Sequence, residues 1–374
     1  MSARRRLRVL LLFGGRSAEH DVSCVTAVAV ARALDPERYE VVPIGITTEG
    51  EWLLAGEARA ALEKGVSTLP AAFAVEGEPV RPPSGPAHQE VVSRSASPAD
   101  DLGIAPDVVF PLLHGPYGED GTVQGLLELA GLPYVGAGVL ASAVGMDKVM
   151  MKRAFTAAGL PQARYLDLRD GGDRVRFADR VVDELGLPTF VKPANMGSSV
   201  GVSKAHDRAE LDAGIALALE YDETCIAEEA VVGREIEVAV LGDAPPEASV
   251  PGEIVPGDEF YSNADKYESG EAQLLVPAPL PEPLTAEVRA LAVAAFEACR
   301  CEAMARVDFF LEDAPGGRGF LVNELNTIPG FTPISMYPKL WEASGLAYPQ
   351  LLDRLVELAL ARHERRARRA GRQR

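Results

Sequence analysis

The sequence predicts an α/β protein of two or three domains, from its length, one continuous apolar strand and one alternating pair of strands. At 374 residues the chain exceeds what a single hydrophobic core normally serves. Residues 8 to 13, RVLLLF, form an apolar run typical of a parallel strand buried on both faces. A glycine turn and an alanine- and valine-rich helix follow this run, which is the strand-turn-helix order of α/β sheets.

Two alternating segments between residues 305 and 326 predict an antiparallel hairpin with one polar and one apolar face. Arg306 and Asp308 fall on one side of the first segment, and Glu324 and Asn326 fall on one side of the second. If the two segments pair, these four side chains can converge. Carboxylate and amide oxygens are the ligands that Mg²⁺ prefers, and a nearby arginine can stabilise an anion. An ordinary solvated hairpin face is the alternative that this stretch alone leaves open.

Two polar turns follow predicted strands at the edge where open α/β sheets bind ligands. The first turn, GGRSAEHDVS, leads into a helix whose free N–H groups can bind an anion, and it carries Glu19 and His20. Taken alone, these two residues are better explained as helix caps than as site residues. The second turn, HGPYGEDG, carries His114, Glu119 and Asp120, and it is a candidate ligand-binding loop.

A further predicted strand ends at Lys192, directly before the small-residue loop NMGSSVG. The backbone and hydroxyl groups of such a loop can lie over phosphates, whereas a flexible glycine-serine turn would not account for the lysine. The segment TCIAEEAVVGREIEV predicts two strands joined at Val232 and Gly233. Its Glu228 and Glu229 serve either an adenine and ribose or an ordinary acidic strand end.

Two long segments lack the periodicity of strands and helices. Residues 64 to 106 are rich in Pro, Ser, Ala and Gly, which predicts a surface excursion. Residues 251 to 283 predict a binding loop or lid, with Lys266 and Tyr267 in its middle. A helix that carries Asp147, Lys148 and Lys152 is predicted to end at Gly159 and Pro161.

Composition excludes several classes of function. Apolar residues make up 47% of the chain and charged residues 25%, which are ordinary values for a soluble globular protein. The formal net charge of -18 argues against a nucleic-acid partner, because phosphate backbones favour basic surfaces. Residues 362 to 374 hold seven arginines against one glutamate, and we expect a frayed, solvated end of the last helix there.

The cysteines and the N-terminus predict a cytoplasmic protein. Cys24, Cys225, Cys299 and Cys301 lack the spacing of a zinc site or a Cys-x-x-Cys pair, so reduced, buried thiols are expected. The apolar run after MSARRR is short and ends at glycines, which indicates a strand rather than a signal peptide. No stretch of the sequence approaches the length of a membrane span.

Seven segments occur in the order seen in one known family: GGRSAEHDVS, HGPYGEDGTVQG, VKPANMGSSVG, EEAVVGREIEV, FYSNADKY, ARVDFF and NELNTIPGFTPISMYP. They extend over almost the whole chain, which therefore resembles the D-alanine-D-alanine ligases of the ATP-grasp fold. The resemblance implies three α/β domains, with ATP held between the central and C-terminal ones. It also implies two Mg²⁺ or Mn²⁺ ions, usually a homodimer, and a cytoplasmic role in peptidoglycan precursor synthesis.

The resemblance implies domain ranges and residue roles in this chain. The ranges are an N-terminal substrate domain at 1–138, a central domain at 139–231, a C-terminal catalytic domain at 232–362 and a basic tail at 363–374. The residues implied to bind ATP are Lys148, Lys192, Ser199, Glu228, Ala230, Val231, Glu235 and Lys266. Those implied to hold metal are Asp308, Glu324 and Asn326. The implied catalytic residues are Glu19, Ser198, Tyr267, Arg306 and Ser335, with His114, Gly330 and Met336 completing the substrate site.

Within the resemblance, Tyr267 predicts the product. Related ligases that prefer D-lactate carry a histidine in this part of the lid, and its positive charge repels an incoming ammonium group. A tyrosine stays neutral near pH 7 and can link through Ser198 to Glu19, which favours the dipeptide over the ester. Ser262 and Asn263 depart from the aspartate and tyrosine common here, so the local lid contacts stay open.

Rival interpretations use the same residues differently. A D-alanine-D-lactate ligase, another ATP-grasp carboxylate-amine ligase or a biotin carboxylase could use the same metal-binding hairpin. A regulatory nucleotide-binding module without turnover belongs to a different class. The ordered lysines, carboxylates and lid argue against the regulatory module, because a sensor does not need an arginine for an oxyanion.

Overall fold

The computed structural model describes residues 5–64, 69–94, 103–255 and 273–370. The strands of these residues form three β-sheets, built from residues 7–111, 165–229 and 234–326. The α/β class predicted from the sequence is confirmed. Each sheet lies within one of the three predicted domain ranges, and the domain boundaries themselves stay a prediction.

The first sheet contains β1 (Leu7–Gly14), β2 (Tyr39–Ile46), β3 (Trp52–Ala55), β4 (Gly77–Arg81), β5 (Val92–Ser93) and β6 (Val108–Pro111) in the order β5-β4-β3-β2-β1-β6. Its helices are α1 (His20–Ala33), α2 (Gly56–Lys64) and α3 (Thr122–Ala130). β1 pairs in parallel with β2 and β6, and residues 9–13 are fully buried, as predicted. β4 and β5 extend the sheet inside residues 64–106, so a plain surface excursion is wrong there. β4 has one buried residue in five and β5 is only two residues long, so neither strand shows a clear alternation in the sequence.

The second sheet contains β7 (Tyr165–Arg169), β8 (Thr189–Pro193), β9 (Ser203–Ala205) and β10 (Thr224–Glu229) in the antiparallel order β7-β10-β8-β9. Its helices are α4 (Val139–Met146), α5 (Lys148–Ala157), α6 (Arg174–Arg180) with a π-helical turn at Val181–Leu185, and α7 (Arg208–Tyr221). The predicted helix with Lys148 and Lys152 forms as α5, with Asp147 as its N-cap, and it ends at Ala157, just before the predicted Gly159. The Asp147 carboxylate caps α5 by accepting from the N–H groups of Val149 and Met150, at 3.0 and 2.9 Å.

The third sheet contains β11 (Arg234–Leu241), β12 (Glu247–Ala248), β13 (Gly252–Val255), β14 (Gln273–Leu275), β15 (Met304–Glu312) and β16 (Gly319–Asn326), with α8 (Glu282–Ala298) packed on it. β15 and β16 form the predicted hairpin, in which Arg306 lies opposite Asn326 and Asp308 lies opposite Glu324. The alternate residues of β15 are buried against α8, which leaves the polar positions on the other face. β10 and β11 also form as predicted, but they belong to different sheets.

The C-terminal helices return to the first sheet. These are α9 (Met336–Ala343) and α10 (Tyr348–Ala370), whose apolar residues share a core with α1, β1 and β6. The expected frayed, solvated end is wrong for Arg362, Arg365 and Arg366, whereas the side chain of Arg368 is 74% exposed. Arg362 is 3% exposed and donates to the backbone carbonyls of Gly136 and Tyr134, both at 2.6 Å, and Arg365 pairs with Asp243. These partners lie more than a hundred residues away, so the local sequence gave no sign of them.

All four cysteines are free thiols inside hydrophobic cores, as predicted, and burial raises the pKa of Cys24 and of Cys299 to about 12. Such thiols remain protonated and unreactive at neutral pH. None of the described helices combines the length and apolar character that crossing a bilayer requires.

Candidate active site

One cleft with a volume of about 1400 Å³ is lined by residues of all three sheets and their loops. Every predicted site residue that the structure describes lines this cleft: Glu19, His114, Lys148, Lys192, Ser198, Ser199, Glu228, Ala230, Val231, Glu235, Arg306, Asp308, Glu324, Asn326, Gly330, Ser335 and Met336. Lys266 and Tyr267, with the neighbouring Ser262 and Asn263, lie outside the described residues. The fold therefore brings together residues that are more than three hundred positions apart in the sequence, such as Glu19 and Met336.

The polar face of the β15–β16 hairpin forms the floor of the cleft. Arg306 binds Asp308 through two hydrogen bonds of 2.7 Å, and its Nε lies 3.2 Å from a carboxylate oxygen of Glu237 on β11. Burial alone would lower the pKa of Arg306, but the charges of Asp308 and Glu237 raise it well above its ordinary value. Arg306 is thus a permanently charged guanidinium in a fixed orientation.

The same hairpin presents oxygen ligands suited to a divalent cation. Asp308 and Glu324 face each other across the two strands, and the Asn326 amide donates to Asp308 at 2.9 Å. Within the described residues no three His, Cys, Asp or Glu side chains form a metal-binding group. Two carboxylates and one amide nevertheless fit Mg²⁺, which usually takes few protein ligands and completes its shell with water and phosphate oxygens.

A cluster of lysines surrounds Glu228 in the part of the cleft that the second sheet and α5 supply. The Glu228 carboxylate accepts from Lys192 at 2.8 Å and lies 3.2 Å from Nζ of Lys152. Burial alone would raise the pKa of Glu228, but the two ammonium groups lower it to about 2. Lys152 is 1% exposed and was not predicted as a site residue. Its spacing of four residues from Lys148 on α5, which places both on one helix face, was the available signal.

The small-residue loop after β8 closes over Lys148. Nζ of Lys148 donates to the backbone carbonyl of Met196 at 2.6 Å, and burial lowers the pKa of this lysine. Ser198 and Ser199 have φ angles of 49° and 59°, in the left-handed region that residues other than glycine rarely adopt. Strained backbone of this kind is typical of ligand-binding loops.

This loop also meets the turn after β1. The Ser198 hydroxyl donates to the Glu19 carboxylate, which is the first link of the chain predicted to reach Tyr267. The other Glu19 oxygen lies where a side chain on Gly115 or Gly197 would approach to 3.1 Å, so glycine is favoured at both positions. Glu19 is thereby held between the first and second sheets.

The loop after β6 supplies His114 and a residue that was not assigned, Glu119. Nδ1 of His114 lies 3.1 Å from the carbonyl oxygen of Ile328, and no described atom pairs with its buried Nε2. Burial lowers the pKa of His114, so the ring is neutral. Glu119 accepts from the backbone N–H groups of Gly115 and Ile328. The sequence identified the loop but not its contact with the segment after β16.

The start of α9 and the connection between β10 and β11 supply further lining residues of the cleft. Ser335 precedes α9, and its hydroxyl lies 2.8 Å from the Thr332 hydroxyl and 3.0 Å from where a side chain on Gly330 would begin. Met336 is 5% exposed. Ala230 and Val231 line the cleft from the connection between β10 and β11, and Glu235 lines it from β11.

Known proteins share both the sequence and the fold. Two protein-family models match: D-ala D-ala ligase N-terminus over residues 8–137 and D-ala D-ala ligase C-terminus over residues 154–357. A D-alanine--D-alanine ligase of Geobacillus thermodenitrificans is 49% identical over 364 residues, covering 96% of this chain and 97% of the relative. One from Mycolicibacterium paratuberculosis is 49% identical over 370 residues, covering 97% and 99%.

Two solved structures resemble the chain over nearly its full length. The D-alanine-D-alanine ligase from Coxiella burnetii has a TM-score of 0.82 and 36% identity, covering 98% of this chain and 97% of its own. A D-Ala:D-Ser ligase from Enterococcus faecalis has a TM-score of 0.81 and 32% identity, covering 95% and 100%. The similarity therefore includes all three sheets and the cleft.

Proposed function

Because this chain belongs to the D-alanine-D-alanine ligase family, we propose that its cleft joins two D-alanine molecules into D-alanyl-D-alanine while ATP becomes ADP and phosphate. Its α/β architecture is the ATP-grasp fold of that family, as the resemblance predicted. The family makes this dipeptide for peptidoglycan precursors, and it uses ATP and a divalent metal ion.

The observation that carries the proposal is the meeting of three kinds of group in one cleft. Lysines on α5 and β8 supply positive charge beside the loop after β8, and the hairpin supplies Asp308, Glu324 and Arg306. The Glu19 and Ser198 pair supplies an acceptor for an ammonium group. A ligase that activates a carboxylate with ATP needs all three, because it must bring anions together and orient an amino acid.

In the first step, a carboxylate oxygen of the first D-alanine attacks the γ-phosphorus of ATP, which gives an acyl phosphate and releases ADP. Activation is needed because a free carboxylate is a poor acyl donor. We assign to Glu19 the binding of the D-alanine ammonium group. Lys148 and Lys192 would offer positive charge to the phosphates, and Ser199 would lie beside them. Ala230, Val231 and Glu235 would line the adenine and ribose pocket, with Glu228 holding Lys192 in place.

Asp308, Glu324 and Asn326 are the residues that would hold Mg²⁺ or Mn²⁺, two ions by family resemblance. When bound, such ions neutralise phosphate charge and stabilise the transferring phosphoryl group. Arg306 binds both oxygens of Asp308, so this carboxylate is held in a fixed orientation. The oxygen donors and their charges fit the expected cation.

In the second step, the amine of the second D-alanine, having lost a proton, attacks the acyl carbon. A C–N bond forms and the bond from carbon to the phosphate oxygen breaks. Arg306, held by Asp308 and Glu237, would stabilise the tetrahedral oxyanion together with backbone N–H groups near Gly330. His114, Ser335 and Met336 would complete the walls around the amino acids.

Phosphate release tests the proposal. We expect release with ATP and D-alanine but not with ATP alone, and one dipeptide formed for each phosphate. Equal D-alanine, D-lactate and D-serine should then be offered together and the products separated by mass spectrometry. Dipeptide as the main product supports the proposal, whereas the ester or D-alanyl-D-serine as main product contradicts it. Release without D-alanine contradicts it as well.

Two further expectations belong to the proposal and rest on the family. These are a homodimeric assembly and a cytoplasmic location, where the precursor would be made. Light scattering at several protein concentrations tests the first, and cell fractionation tests the second. The lid roles of Lys266 and Tyr267 remain predictions from the sequence alone.

A further inference from the structure

The Glu119 side chain links two parts of the backbone, the loop after β6 and the segment after β16. The Glu119 carboxylate accepts from the N–H of Gly115 at 2.8 Å with one oxygen and from the N–H of Ile328 at 3.0 Å with the other. Gly115 belongs to the loop that follows the first sheet, and Ile328 follows the hairpin of the third sheet. Glu119 therefore joins two backbone segments that come from different sheets.

His114 completes this contact from the same loop. A carbonyl oxygen can only accept a hydrogen bond, so Nδ1 of His114 must donate its proton to the carbonyl of Ile328, 3.1 Å away. Both polar backbone groups of Ile328 are thus bound by the loop, the N–H by Glu119 and the C=O by His114. Ile328 is 3% exposed, so its backbone has little room to move.

The bound segment leads into the amino-acid end of the cleft. Residues 327–330 follow Asn326 directly and all line the cleft. Gly330 closely approaches Ser335, since a side chain added there would meet the Ser335 hydroxyl at 3.0 Å. On the other side, Gly115 lies against the Glu19 carboxylate. The loop and segment together therefore fix the separation between Glu19 and the backbone near Gly330.

We propose that Glu119 is a positioning residue for the amino-acid half of the cleft, which holds residues 327–330 at a fixed distance from Glu19. This inference rests on the proposed function. Glu119 acts through the backbone of Gly115 and Ile328, and its two hydrogen bonds do not involve the lysines beside the loop after β8. Its loss should weaken the use of D-alanine and leave ATP binding intact.

The neighbouring Asp120 provides a matched control. Its carboxylate also accepts two backbone N–H groups, from Tyr117 at 2.8 Å and from Thr122 at 2.9 Å. Tyr117 lies in the same loop and Thr122 begins α3 directly after it, so neither partner belongs to the segment after β16. Glu119→Gln and Asp120→Asn each replace a carboxylate by an amide of nearly the same shape. Only the first change breaks the link between Gly115 and Ile328, because the amide NH₂ of Gln would face one of these two N–H groups and could not accept its hydrogen bond.

The experiment measures kcat and KM for D-alanine and for ATP at about pH 9, where the Glu119 carboxylate is ionised because its pKa lies at about 8. For Glu119→Gln we expect kcat/KM for D-alanine to fall about 10- to 100-fold, as expected for a lost charge-assisted hydrogen bond. The KM for ATP should stay within about 2-fold, and Asp120→Asn should change both values less than about 3-fold. Equal losses for ATP and D-alanine, or an unchanged Glu119→Gln enzyme, would overturn the proposal.

Two further measurements cover a variant that folds poorly or an enzyme that forms no dipeptide. Glu119→Asp keeps the charge but is one methylene shorter, so it should reach one N–H and show an intermediate loss for D-alanine only. Hydrogen exchange of the peptide containing Ile328 reports the contact without any turnover. Faster exchange in Glu119→Gln than in Asp120→Asn supports the proposal, and equal exchange refutes it. Absence of dipeptide from wild type would instead contradict the proposed function.

Discussion

Glu228 and Glu119 line the same cleft, yet their carboxyl groups are held in opposite ways. Glu228 is buried, which alone would raise its pKa, but the ammonium groups of Lys152 and Lys192 lower it to about 2. Glu119 receives only backbone N–H groups, and enclosure in the cleft together with the charge of Glu19 raises its pKa to about 8. The partner's charge, more than burial, decides which glutamate keeps its proton at neutral pH.

The comparison separates two ways of building a site. The wall with Glu228 is stabilised by full charges, which suits a place where phosphates would bring further charge. The wall with Glu119 is stabilised by backbone dipoles, which fix geometry without adding a cation. Removing the charge of Glu228 should therefore mainly lower the stability of the fold. Removing the charge of Glu119 should mainly change the position of the backbone segments that it binds.

The largest expected effect comes from Glu228→Gln. This change leaves Lys152, which is 1% exposed, and Lys192 without their carboxylate. Breaking a buried ion pair in this way costs about 3 to 5 kcal/mol, so the free energy of unfolding should fall by roughly that amount in urea titrations. Adding Lys152→Met should recover part of the loss, because the uncompensated charge disappears. If the free energy of unfolding of Glu228→Gln lies within about 1 kcal/mol of the wild-type value, the ion pairs of Glu228 with Lys152 and Lys192 contribute little to stability.

The next effect concerns the hairpin, where charge serves the reaction rather than the fold. Glu324→Gln and Asp308→Asn should each nearly abolish turnover while the protein stays folded. Losing one preorganised charge in a catalytic site costs about 3 kcal/mol or more in the transition state, which is at least about 100-fold in rate. Phosphate release at saturating Mg²⁺ measures the effect, with circular dichroism as the folding control. Near-normal rates would reject Asp308 and Glu324 as metal ligands.

The sequence was informative where the chemistry repeats locally. Alternation in β15 and β16 predicted the hairpin and its polar face, since a period of two allows only one side of each strand to be buried. Motif order predicted the family and singled out Lys148 and Lys192, which both line the cleft. The apolar run of β1 predicted a strand with both faces covered, and Val9 to Phe13 are fully buried.

What the sequence did not reveal depends on contacts between distant residues. Glu119 meets Ile328 across 209 positions, and Arg362 meets Tyr134 across 228. No local pattern encodes such a partner, so Glu119 was recognised only as part of a loop and Arg362 only as part of a basic tail. Lys152 shows the same limit, because burial of a lysine becomes evident only once Glu228 lies beside it.

The pH dependence of stability distinguishes the two glutamates. Glu119 has an ordinary pKa of 4.5 and a folded pKa of about 8, so between these values the folded protein holds a proton that the unfolded chain has lost. The contribution of Glu119 to the free energy of unfolding is therefore complete below about pH 4.5, and it is lost as the pH rises through about 8. Glu228 works in the other direction, since its contribution is present above pH 4.5 and is lost as the pH falls toward 2.

We therefore expect the free energy of unfolding of wild type to fall between about pH 5.5 and 8.5 by on the order of 2 kcal/mol more than that of Glu119→Gln. This is less than the full shift implies, because Glu119 is partly exposed in the open cleft. Urea titrations at several pH values measure the difference, and Asp120→Asn serves as the control. Parallel curves for wild type and Glu119→Gln would mean that Glu119 is already ionised at neutral pH.

The smallest expected effect comes from Glu229, the neighbour of Glu228 on β10. Glu229 is 8% exposed and binds Arg318 at 2.5 Å, Nε of Arg164 at 2.6 Å and the N–H of Arg164 at 2.8 Å. Arg318 is 41% exposed, so water already solvates much of its charge. If Arg318 is changed to Gln, Glu229 keeps both bonds to Arg164. Glu312 loses its ion pair with Arg318, but its side chain is 17% exposed and can be reached by water.

We expect Arg318→Gln to lower the free energy of unfolding by less than about 1 kcal/mol, as is usual for exposed ion pairs. Measuring it in the same urea titration as Glu228→Gln compares two adjacent glutamates, one bound by buried lysines and one by exposed arginines. A loss above about 2 kcal/mol would mean that the link from β10 to the tip of the hairpin is a main support of the cleft. In that case the exposure of the partner would not predict the strength of an ion pair in this protein. Glu229 would then differ both from Glu228, which is bound by lysines, and from Glu119, which is bound by backbone N–H groups.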